Sequence, residues 1–384
     1  MNQEKKINVT MVTTWNTRCG IASYSKYLVS QLQHYVNINV AEVTNQSTMN
    51  PLFFIKTVSL TRKDCDIIHF QDGIYSMKGT IFLSILSRII IRSLPNRPLV
   101  VSTMHELVPD EPHTQQIGQI LCKKTIKLIK SLVNHLIVIT SDYLIVHTCE
   151  SQIIVKGLYH KESSVIPHGS PEPIFMDKNY CKSKLNLDGH RILCIFGYIE
   201  PYKGYDTIID ILPNLPQDVI LLIAGGSKKD TPLLQKLRNN AAKDPKIRIT
   251  GYISDADLPT ILNAVDIFLF PYQRITQSGP LALALAYEKP IITSDLVAFR
   301  EIKEKYNCIE IAKDPNEYIE YITQTICDSP KKSKLLESIN RYNEDTNWKS
   351  VAKQHYTLYK RVLMKAPQNS SNHDNTCQVY QSQK

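Results

Sequence analysis

A lysine in this sequence follows an apolar run at a spacing that suits the binding of an anion. Lys203 comes after the run Arg191–Phe196 and is framed by Gly197 and Gly204. If the run is a strand, this spacing places an ammonium group just beyond its carboxyl end, where it can neutralise phosphate oxygens. The alternative is an ordinary surface lysine before a turn glycine.

Ser278 stands at a second position of this kind, at the start of an apolar helix. Serine is a preferred N-cap residue, and Pro280 suits the first helical turn because its missing N–H would have no partner there. The free N–H groups of such a helix start attract anions. Residues 281–287 are small and apolar on nearly every face. The stretch therefore predicts either a phosphate site or only a buried helix of an α/β core.

Histidines and glycines mark the ends of other apolar runs. His105 follows one such run, and it either meets a polar or reacting group or is a structural histidine whose tautomer Glu106 fixes. Gly20, just ahead of a helix, allows a close approach of a ligand or serves only the turn. Parallel strands bring their carboxyl ends to one edge of a sheet, where open α/β sheets bind ligands. The residues expected at these edges suit a diphosphate and polar groups: Gly20, His69, His105, His147, Lys203, Gly225 and Ser278.

Apolar runs that alternate with helix-compatible segments must position these residues. Continuous apolar strands of this kind predict parallel sheets covered by helices on both faces. The expected fold class is therefore α/β, with two Rossmann-like, doubly wound domains. The expected strands are 7–13, 38–43, 67–70, 99–103, 135–140 and 165–166 in the first half, and 191–196, 219–224, 247–250, 267–270 and 290–293 in the second, the last completing its sheet.

A proline-rich segment at 168–173 interrupts this alternation and predicts a link between two domains. We expect residues 1–172 to form the first Rossmann-like domain and residues 173–345 the second. The periodic segment 346–365 follows as a helix that packs back toward the first domain. Residues 366–384 are polar and have too few apolar residues to fold, so we expect them to be disordered.

Composition and charge exclude several classes of protein. The chain has 384 residues, 43% hydrophobic and 21% charged, as in ordinary globular proteins. Its nine cysteines form no Cys-x-x-Cys pair, which favours a reducing, cytoplasmic compartment over a zinc site or a disulfide framework. The sequence has no apolar run of the length that a membrane-spanning helix needs. The net charge of +9 favours anionic ligands.

Three functions that this charge or fold would allow fit the sequence poorly. Nucleic-acid binding is not expected, because basic runs interleaved with aromatic residues are missing. A nicotinamide dehydrogenase would carry Gly-x-Gly-x-x-Gly after a first strand, and neither half has it. The acidic residues are dispersed, without the pairing that glycosidase chemistry needs.

Five motifs from residue 165 onward together resemble one enzyme family. They read VIPHGSPEPIF, FGYIEPYKGYDTII, LLIAGG, ITGYISDADLPTILNAVDIFLFPY and QSGPLALALAYEKPIITSD. The set is similar to the retaining, nucleotide-sugar-dependent glycosyltransferases of family 4, which have the two-domain GT-B fold. The N-terminal TRCGIASYSKYLVSQL resembles the branch in which an Arg-Cys-Gly-Ile-Ala segment precedes the first helix. The resemblance covers most of residues 7–365.

The resemblance implies that a hexose is transferred in a central cleft, with the donor on the second domain and the acceptor on the first. Lys203 would contact the donor diphosphate, and the helix start at Ser278-Gly279 would hold its phosphate through backbone N–H groups. Gly20 would approach the phosphates from the first domain, and Gly225 would line the donor site. Lysine and helix N-terminus stabilise the charge that develops on the leaving diphosphate, so neither a metal nor a cofactor is expected.

The resemblance also implies positions around the base and the sugar. Tyr252 and Ile253 would lie against the base, and Tyr198 would belong to the phosphate loop. His105 would lie near the transferred sugar, and with Lys203 and Gln277 it makes up the expected catalytic set. The expected partners are a nucleotide-sugar donor and a glycan, lipid-linked or small-molecule acceptor.

The sequence departs from the family pattern at three places. Tyr198 stands where an arginine commonly follows the glycine of the phosphate loop. The usual Glu-x7-Glu pair is missing, since Gln277 is the nearest stand-in for the first carboxylate and Leu283 lies near the place of the second. Glu288 replaces the glycine that usually precedes Lys-Pro. Two functions follow: an active transferase, or a scaffold that binds a nucleotide sugar and transfers it weakly or not at all.

Two helix-compatible segments of the first half suggest a further partner. Residues 78–97 and 121–133 combine apolar residues with the basic residues Arg88, Arg92, Lys123, Lys124, Lys127 and Lys130. A basic amphipathic helix can lie on an anionic membrane, where a lipid-linked acceptor would be found. The alternative is an ordinary helix with a solvated basic face.

Overall fold

The structure is a computed structural model of the chain. It describes residues 6–17, 19–43, 65–73, 81–105, 107, 129, 131–227, 229–275, 278–327 and 329–365. The chain divides into two compact units, the first formed by residues 1–169 together with 348–384 and the second by residues 170–347. The segments 366–384, expected to be disordered, and 121–128 lie outside the described residues.

A six-stranded parallel sheet forms the centre of the first unit, with the strand order β2-β1-β3-β4-β5-β6. Its strands are β1 (Asn8–Thr13), β2 (Asn37–Glu42), β3 (Ile67–Asp72), β4 (Leu99–Met104), β5 (Tyr143–Val146) and β6 (Ser163–Val165). Its labelled helices are α1 (Gly20–Leu32), α2 (Ile81–Ser93), α3 (Cys149–Tyr159) and, from the end of the chain, α12 (Trp348–Lys365).

Helices α1 and α12 cover one face of this sheet. Alternate strand residues point to this face, and Met11, Ile67 and Val101 pack there against Leu28 of α1 and Val351 of α12. Helix α2 contributes to the opposite face, with the side chains of the intervening strand residues. The last helix of the chain therefore belongs to the core of the first unit.

The second unit is built around a six-stranded parallel sheet of its own, in the order β12-β11-β10-β7-β8-β9. Its strands are β7 (Arg191–Phe196), β8 (Val219–Ala224), β9 (Ile247–Ile249), β10 (Ile267–Phe270), β11 (Ile291–Ser294) and β12 (Glu310–Ala312). Its helices are α4 (Lys178–Lys184), α5 (Tyr205–Ile211), α6 (Pro232–Lys243), α7 (Leu258–Ala264), α8 (Gly279–Ala286), α9 (Val297–Tyr306), α10 (Pro315–Cys327) and α11 (Ser329–Thr346). Apolar clusters on both faces of the sheet form its core.

The expected fold class is confirmed. Strands and helices alternate along the chain, and the strands form two parallel sheets. One expected strand, 135–140, is wrong: residues 131–140 are helical, and β5 begins at Tyr143. A short apolar run does not distinguish a strand from a buried helix by its periodicity. Here Val133 and Ile137 are buried while Leu132 and Ile139 are exposed, which is helical spacing. The second sheet also does not end at the strand expected near residue 293, since β12 extends it.

Helix α2 does not present the basic face that the sequence suggested. Arg88 is fully buried, its Nη2 lies 2.7 Å from both carboxylate oxygens of Asp72, and its guanidinium lies 4.0 Å from the centre of the Phe70 ring. Arg92 forms an ion pair with Asp142. Among the apolar side chains of this helix that the structure describes, Leu86 and Ile89 are exposed, by 45% and 48%.

Seven of the nine cysteines lie within the described residues. Free thiols are found at Cys19, Cys65, Cys181, Cys194, Cys308 and Cys327. Cys149, at the start of α3, is disulfide-bonded. Among the described residues, no helix is long and apolar enough to cross a membrane.

Candidate functional site

The topology of the second unit places one crevice at the carboxyl ends of its strands. Counted within the unit, its strands run 3-2-1-4-5-6 from β9 to β12, so the order reverses between β7 and β10. Open α/β sheets bind ligands at this switch point. The loop after β7 carries Lys203, and the loop after β10 leads to Ser278. The two anion-binding candidates of the sequence therefore follow the two strands that flank the crevice.

Gly197 links these two candidates in space. It has a left-handed φ of +96°, and a Cβ atom placed on it would lie 2.8 Å from Lys203 Nζ and 3.1 Å from Cγ of Pro280. Only glycine fits between the ammonium group and the first turn of α8 without displacing one of them. The lysine and the helix start thus line the same small region of backbone.

Lys203 is not the surface lysine of the alternative interpretation, since only 2% of its side chain is exposed. It ends a 3₁₀ turn (Pro201–Lys203), and its Nζ donates a hydrogen bond of 2.6 Å to the carbonyl oxygen of Phe196. Burial lowers the pKa of its ammonium group from 10.5 to about 8. An anionic ligand beside a buried cation of this kind stabilises its charged form and raises its pKa back toward the ordinary value.

Backbone contacts hold the loops of this edge together. A Cβ atom on Gly204 would lie 1.9 Å from the carbonyl oxygen of Pro271, and one on Gly225 would lie 2.2 Å from that of Gly197. The N–H of Gln273 donates to the carbonyl oxygen of Tyr202 at 2.7 Å. The loops that follow β7, β8 and β10 are therefore in direct backbone contact.

The helix start at Ser278 has the expected geometry. Ser278 is the N-cap of α8, and its Oγ accepts a hydrogen bond of 3.1 Å from the N–H of Leu281. Gly279 is the first helical residue, and a Cβ atom there would meet no atom within 4 Å. Local packing thus leaves open space at this glycine. Gln277, expected in the catalytic set, lies outside the described residues.

The remaining donor-side positions differ in exposure. Tyr198 is 41% exposed and Tyr252 is 61% exposed, so both present ring surface at the edge of the unit. Ile253 is partly buried against the core of the unit. Gly226 lies close to Tyr252, because a Cβ atom on it would be 2.9 Å from the Tyr252 backbone nitrogen. The β8 and β9 loops therefore also meet here.

In the first unit, Gly20 is the first residue of α1, after the loop that leaves β1. Its φ is not left-handed and a Cβ atom on it would meet nothing within 4 Å, so the turn itself does not require glycine. The N-cap is Cys19, whose sulfur accepts a hydrogen bond from the N–H of Ala22. Burial opposes ionisation of this thiol, but hydrogen bonds from neighbouring hydroxyl and N–H groups outweigh it and lower its pKa.

His105 lies within a buried hydrogen-bonded chain rather than alone at a strand end. Its Nε2 is 2.8 Å from the amide of Gln71, and its Nδ1 is 3.2 Å from Nε2 of His147. On the other side of Gln71, His69 Nδ1 lies 2.6 Å from the hydroxyl of Tyr359. The sequence marked each of these histidines as the end of a strand. It gave no signal for Tyr359, which α12 brings in from 290 residues further along the chain.

Among the described residues, no group of three or more histidine, cysteine or acidic side chains is arranged to hold a metal ion. Of the two Asp-x-Asp sequences, Asp66 accepts a hydrogen bond of 2.7 Å from the N–H of Asn8. Asp257 precedes α7, and its carboxylate accepts from the hydroxyl of Ser254 at 2.6 Å. Asp66 thus ties the start of β1 to the segment before β3, and Asp257 pairs with Ser254 but makes no side-chain cap hydrogen bond to α7.

Comparison with known proteins relates this edge to an enzyme family. Residues 190–328 match the family model described as glycosyl transferases group 1. The second unit is similar to group 1 glycosyltransferases. The matched range contains the whole crevice, from the Lys203 loop to the start of α8.

Two relatives among characterised proteins share parts of the chain. A GDP-mannose:glycolipid 4-beta-D-mannosyltransferase of Xanthomonas campestris pv. campestris is 30% identical over 99 residues, which are 25% of this chain and 28% of that protein. A phosphatidyl-myo-inositol mannosyltransferase of Mycobacterium tuberculosis is 30% identical over 147 residues, 36% of each chain. The match thus spans about a third or less of the length of either relative.

Solved structures extend the likeness to both units. The structure of Anabaena Alr3699/HepE in complex with UDP and glucose aligns with a TM-score of 0.71, at 13% sequence identity, over 92% of this chain and all of that one. At this level of identity the likeness concerns the fold alone. The fold is that of the GT-B glycosyltransferases.

Proposed function

We propose that the protein is a retaining glycosyltransferase that transfers a hexose from a nucleotide diphosphate sugar to a glycan, lipid-linked or small-molecule acceptor. One observation carries the proposal. The buried ammonium group of Lys203 and the first turn of α8 bracket Gly197 at the switch point of the second sheet. A diphosphate bound there would meet a cation and the free N–H groups of a helix start together.

This arrangement suits the charge that develops during transfer. As the glycosidic bond of the donor breaks, the leaving diphosphate gains negative charge. A fixed ammonium group and a fixed helix N-terminus stabilise this charge more in the transition state than in the ground state. These groups supply the charge compensation from the protein itself, so we propose that transfer is independent of metal ions.

The residues around the Lys203 loop and the start of α8 are proposed to bind the other parts of the donor. Tyr252 offers an exposed ring for the base, with Ile253 beside it, and Gly225 and Tyr198 line the loops that face the phosphates. Gly20 provides the open backbone on the first unit that a phosphate can approach. The Xanthomonas relative uses GDP-mannose by name, and a structural neighbour holds UDP and glucose, so guanosine and uridine donors are the first to test.

A screen of nucleotide sugars for thermal stabilisation tests this proposal. A donor that binds only the folded protein at 100 times its Kd should add about 2.7 kcal/mol of stability, a shift of several degrees in Tm. The stabilising donor should then be turned over in the presence of EDTA. Lys203→Met should lose the shift. If UDP- and GDP-sugars all leave Tm unchanged, the proposal fails; stabilisation without turnover would identify a non-transferring scaffold.

We further propose that the first unit contacts an anionic membrane surface, where a lipid-linked acceptor would be presented. Leu86 and Ile89 of α2 are about half exposed, as are Leu132 and Ile139 of the helical segment 131–140. Exposed apolar side chains on helices add membrane affinity when they enter the boundary between headgroups and acyl chains.

Flotation with phosphatidylglycerol vesicles tests the membrane contact. The protein is expected to float with these vesicles at low salt, and the double substitution Leu86→Ser with Ile89→Ser should abolish flotation. A matched control is Ile153→Ser with Leu158→Ser on α3, whose side chains are 51% and 68% exposed. Equal loss in both double variants, or no flotation of the unsubstituted protein, would contradict the proposed surface.

A further inference from the structure

The buried chain around His105 follows from the register of three neighbouring strands. Gln71 of β3 pairs with Thr103 of β4, and Thr103 pairs with Ile145 of β5. Two residues further along, His105 and His147 point to the same face of the sheet, because the side-chain period of a strand is two. The two imidazole rings therefore lie side by side at the carboxyl edge, with centroids 4.9 Å apart.

The protons of this chain can be assigned from its one fixed acceptor. His147 Nδ1 lies 2.9 Å from the carbonyl oxygen of Ile166, which can only accept, so Nδ1 carries a proton. Burial lowers the pKa of His147 to about 3, and the ring is therefore neutral near pH 7. Its Nε2 then has no proton and accepts from His105. The proton of His105 is thereby placed on Nδ1.

The same assignment of protons fixes the orientation of the Gln71 amide. Burial, followed by the neighbouring histidines, lowers the pKa of His105 well below 6.5. A neutral His105 with Nδ1–H has an unprotonated Nε2, which needs a donor. The structure places Oε1 of Gln71 at 2.8 Å from this nitrogen, and we assign the amide in the exchanged orientation, with its NH2 group toward His105. In the exchanged orientation the amide oxygen takes the place of Gln71 Nε2, which lies 3.3 Å from His69 Nε2. With the opposite amide orientation, His105 would donate from Nε2 to the amide oxygen. A hydrogen bond between His105 and His147 would then require one of these two rings to be an imidazolium.

The far end of the chain completes this assignment. His69 Nε2–H donates to the hydroxyl of Thr103 at 2.8 Å, and its Nδ1 accepts from the hydroxyl of Tyr359 at 2.6 Å. The same His69 N–H is shared with the Gln71 amide at 3.3 Å, so each group in the sequence Tyr359, His69, Gln71, His105, His147 donates to the next with every ring neutral. Fully satisfied buried networks of this kind hold their members in one arrangement.

We propose that Gln71 and His147 are positioning residues that hold His105 as its Nδ1–H tautomer, with Nε2 accepting from Gln71. The proposal rests on the proposed function, together with the position near the transferred sugar that the family resemblance implies for His105. Both ring nitrogens of His105 are engaged within the chain, Nε2 with Gln71 and Nδ1 with His147. Gln71 and His147 together therefore fix the orientation and the proton of this ring.

The ¹⁵N chemical shifts of the histidine side chains test the tautomer without any ligand. His105 is expected to show a protonated Nδ1 and an unprotonated Nε2 at pH 7.5. Gln71→Glu should turn His105 into an imidazolium, because a carboxylate requires a proton on Nε2. His147→Gln, which keeps an acceptor, should preserve the tautomer, whereas His147→Leu should release it. The exposed His34 is the internal reference whose shifts should not change.

Kinetics then test the positioning role. Gln71→Met, which keeps the shape of the side chain, is expected to lower kcat about 10-fold with little change in the KM of the donor, as for other residues that orient a histidine. An Nε2–H tautomer of His105 in the unsubstituted protein, or unchanged His105 shifts in Gln71→Met, would overturn the assignment. A changed tautomer with an unchanged kcat would overturn the positioning role. Absence of turnover in the unsubstituted protein would refute the proposed function, while the ¹⁵N shifts would still decide the tautomer.

Discussion

Lys203→Met is expected to lower kcat about 10²–10³-fold, the loss typical of removing one preorganised donor from a site where charge develops. The reason is the position of the ammonium group beside Gly197 and the start of α8, where the leaving diphosphate is proposed to lie. Steady-state turnover with the donor identified by thermal stabilisation measures the effect. Lys236→Met is the matched control, because Lys236 is 55% exposed and pairs with Asp206 on the surface of the same unit.

The same substitution is expected to stabilise the fold. The pKa of Lys203 is about 8 in the folded protein and near 10.5 when the chain is unfolded. Below pH 8 the buried charged form therefore costs about 3 kcal/mol, and methionine removes this cost while losing the hydrogen bond to Phe196. We expect a net gain of about 1–3 kcal/mol at pH 7.

The pH dependence separates this explanation from a purely structural one. Between pH 8 and 10.5 the unfolded chain holds the proton that folded Lys203 has lost, so this residue makes stability rise with pH. The rise should disappear in Lys203→Met and persist in Lys236→Met. Urea unfolding at pH 7, 8.5 and 9.5 measures it. A Lys203→Met protein that is less stable than the unsubstituted one, with turnover intact, would show that the lysine is a structural residue outside the site.

The sequence predicts where the candidate site residues lie relative to strands and helices better than it predicts how buried they are. Strand ends, the N-cap role of Ser278 and the spacing of Lys203 are local properties, and the structure confirms the cap and the strand. The buried Nζ of Lys203 lies 5.8 Å from the centre of the Tyr272 ring, and Tyr272 is about 70 residues further along the chain. A local sequence pattern does not show which distant residues will pack against a side chain. A surface lysine therefore remained an alternative at the level of the sequence.

Two further residues show why local patterns fail. Arg88 reads as part of a basic helix face, yet it lies in the core because Asp72 at the end of β3 offers it a carboxylate. The run at 135–140 reads as a strand because its residues are β-branched and apolar, yet it packs as a helix against Leu144 and Val146. In both cases a tertiary partner overrides the propensity of the segment. The partners of His105 are hidden from the sequence for the same reason.

Acidification is expected to unfold the first unit before the second. Burial lowers the pKa of His69, His105, His147 and His355, the last two to about 3 and about 4. In the unfolded chain these side chains bind protons near pH 6.5. Between pH 6.5 and about 4 the unfolded state therefore holds more protons, and stability falls as the pH falls. At pH 5.5 His147 and His355 together cost about 3 kcal/mol, a large part of the stability of a domain, and His69 and His105 act in the same direction.

Hydrogen exchange of the full chain at pH 7.5 and 5.5, corrected for intrinsic rates, measures this difference. Peptides from β1, β3 and β4 should lose protection at pH 5.5, whereas those from β7, β8 and β10 should keep it, since His190 is the only histidine in residues 170–347. His355→Leu should recover about 1.4 kcal/mol of the loss, because one proton fewer is taken up on unfolding. His34→Gln, at an exposed position, should recover none. Equal loss of protection in both units would mean that the buried histidines do not control acid stability.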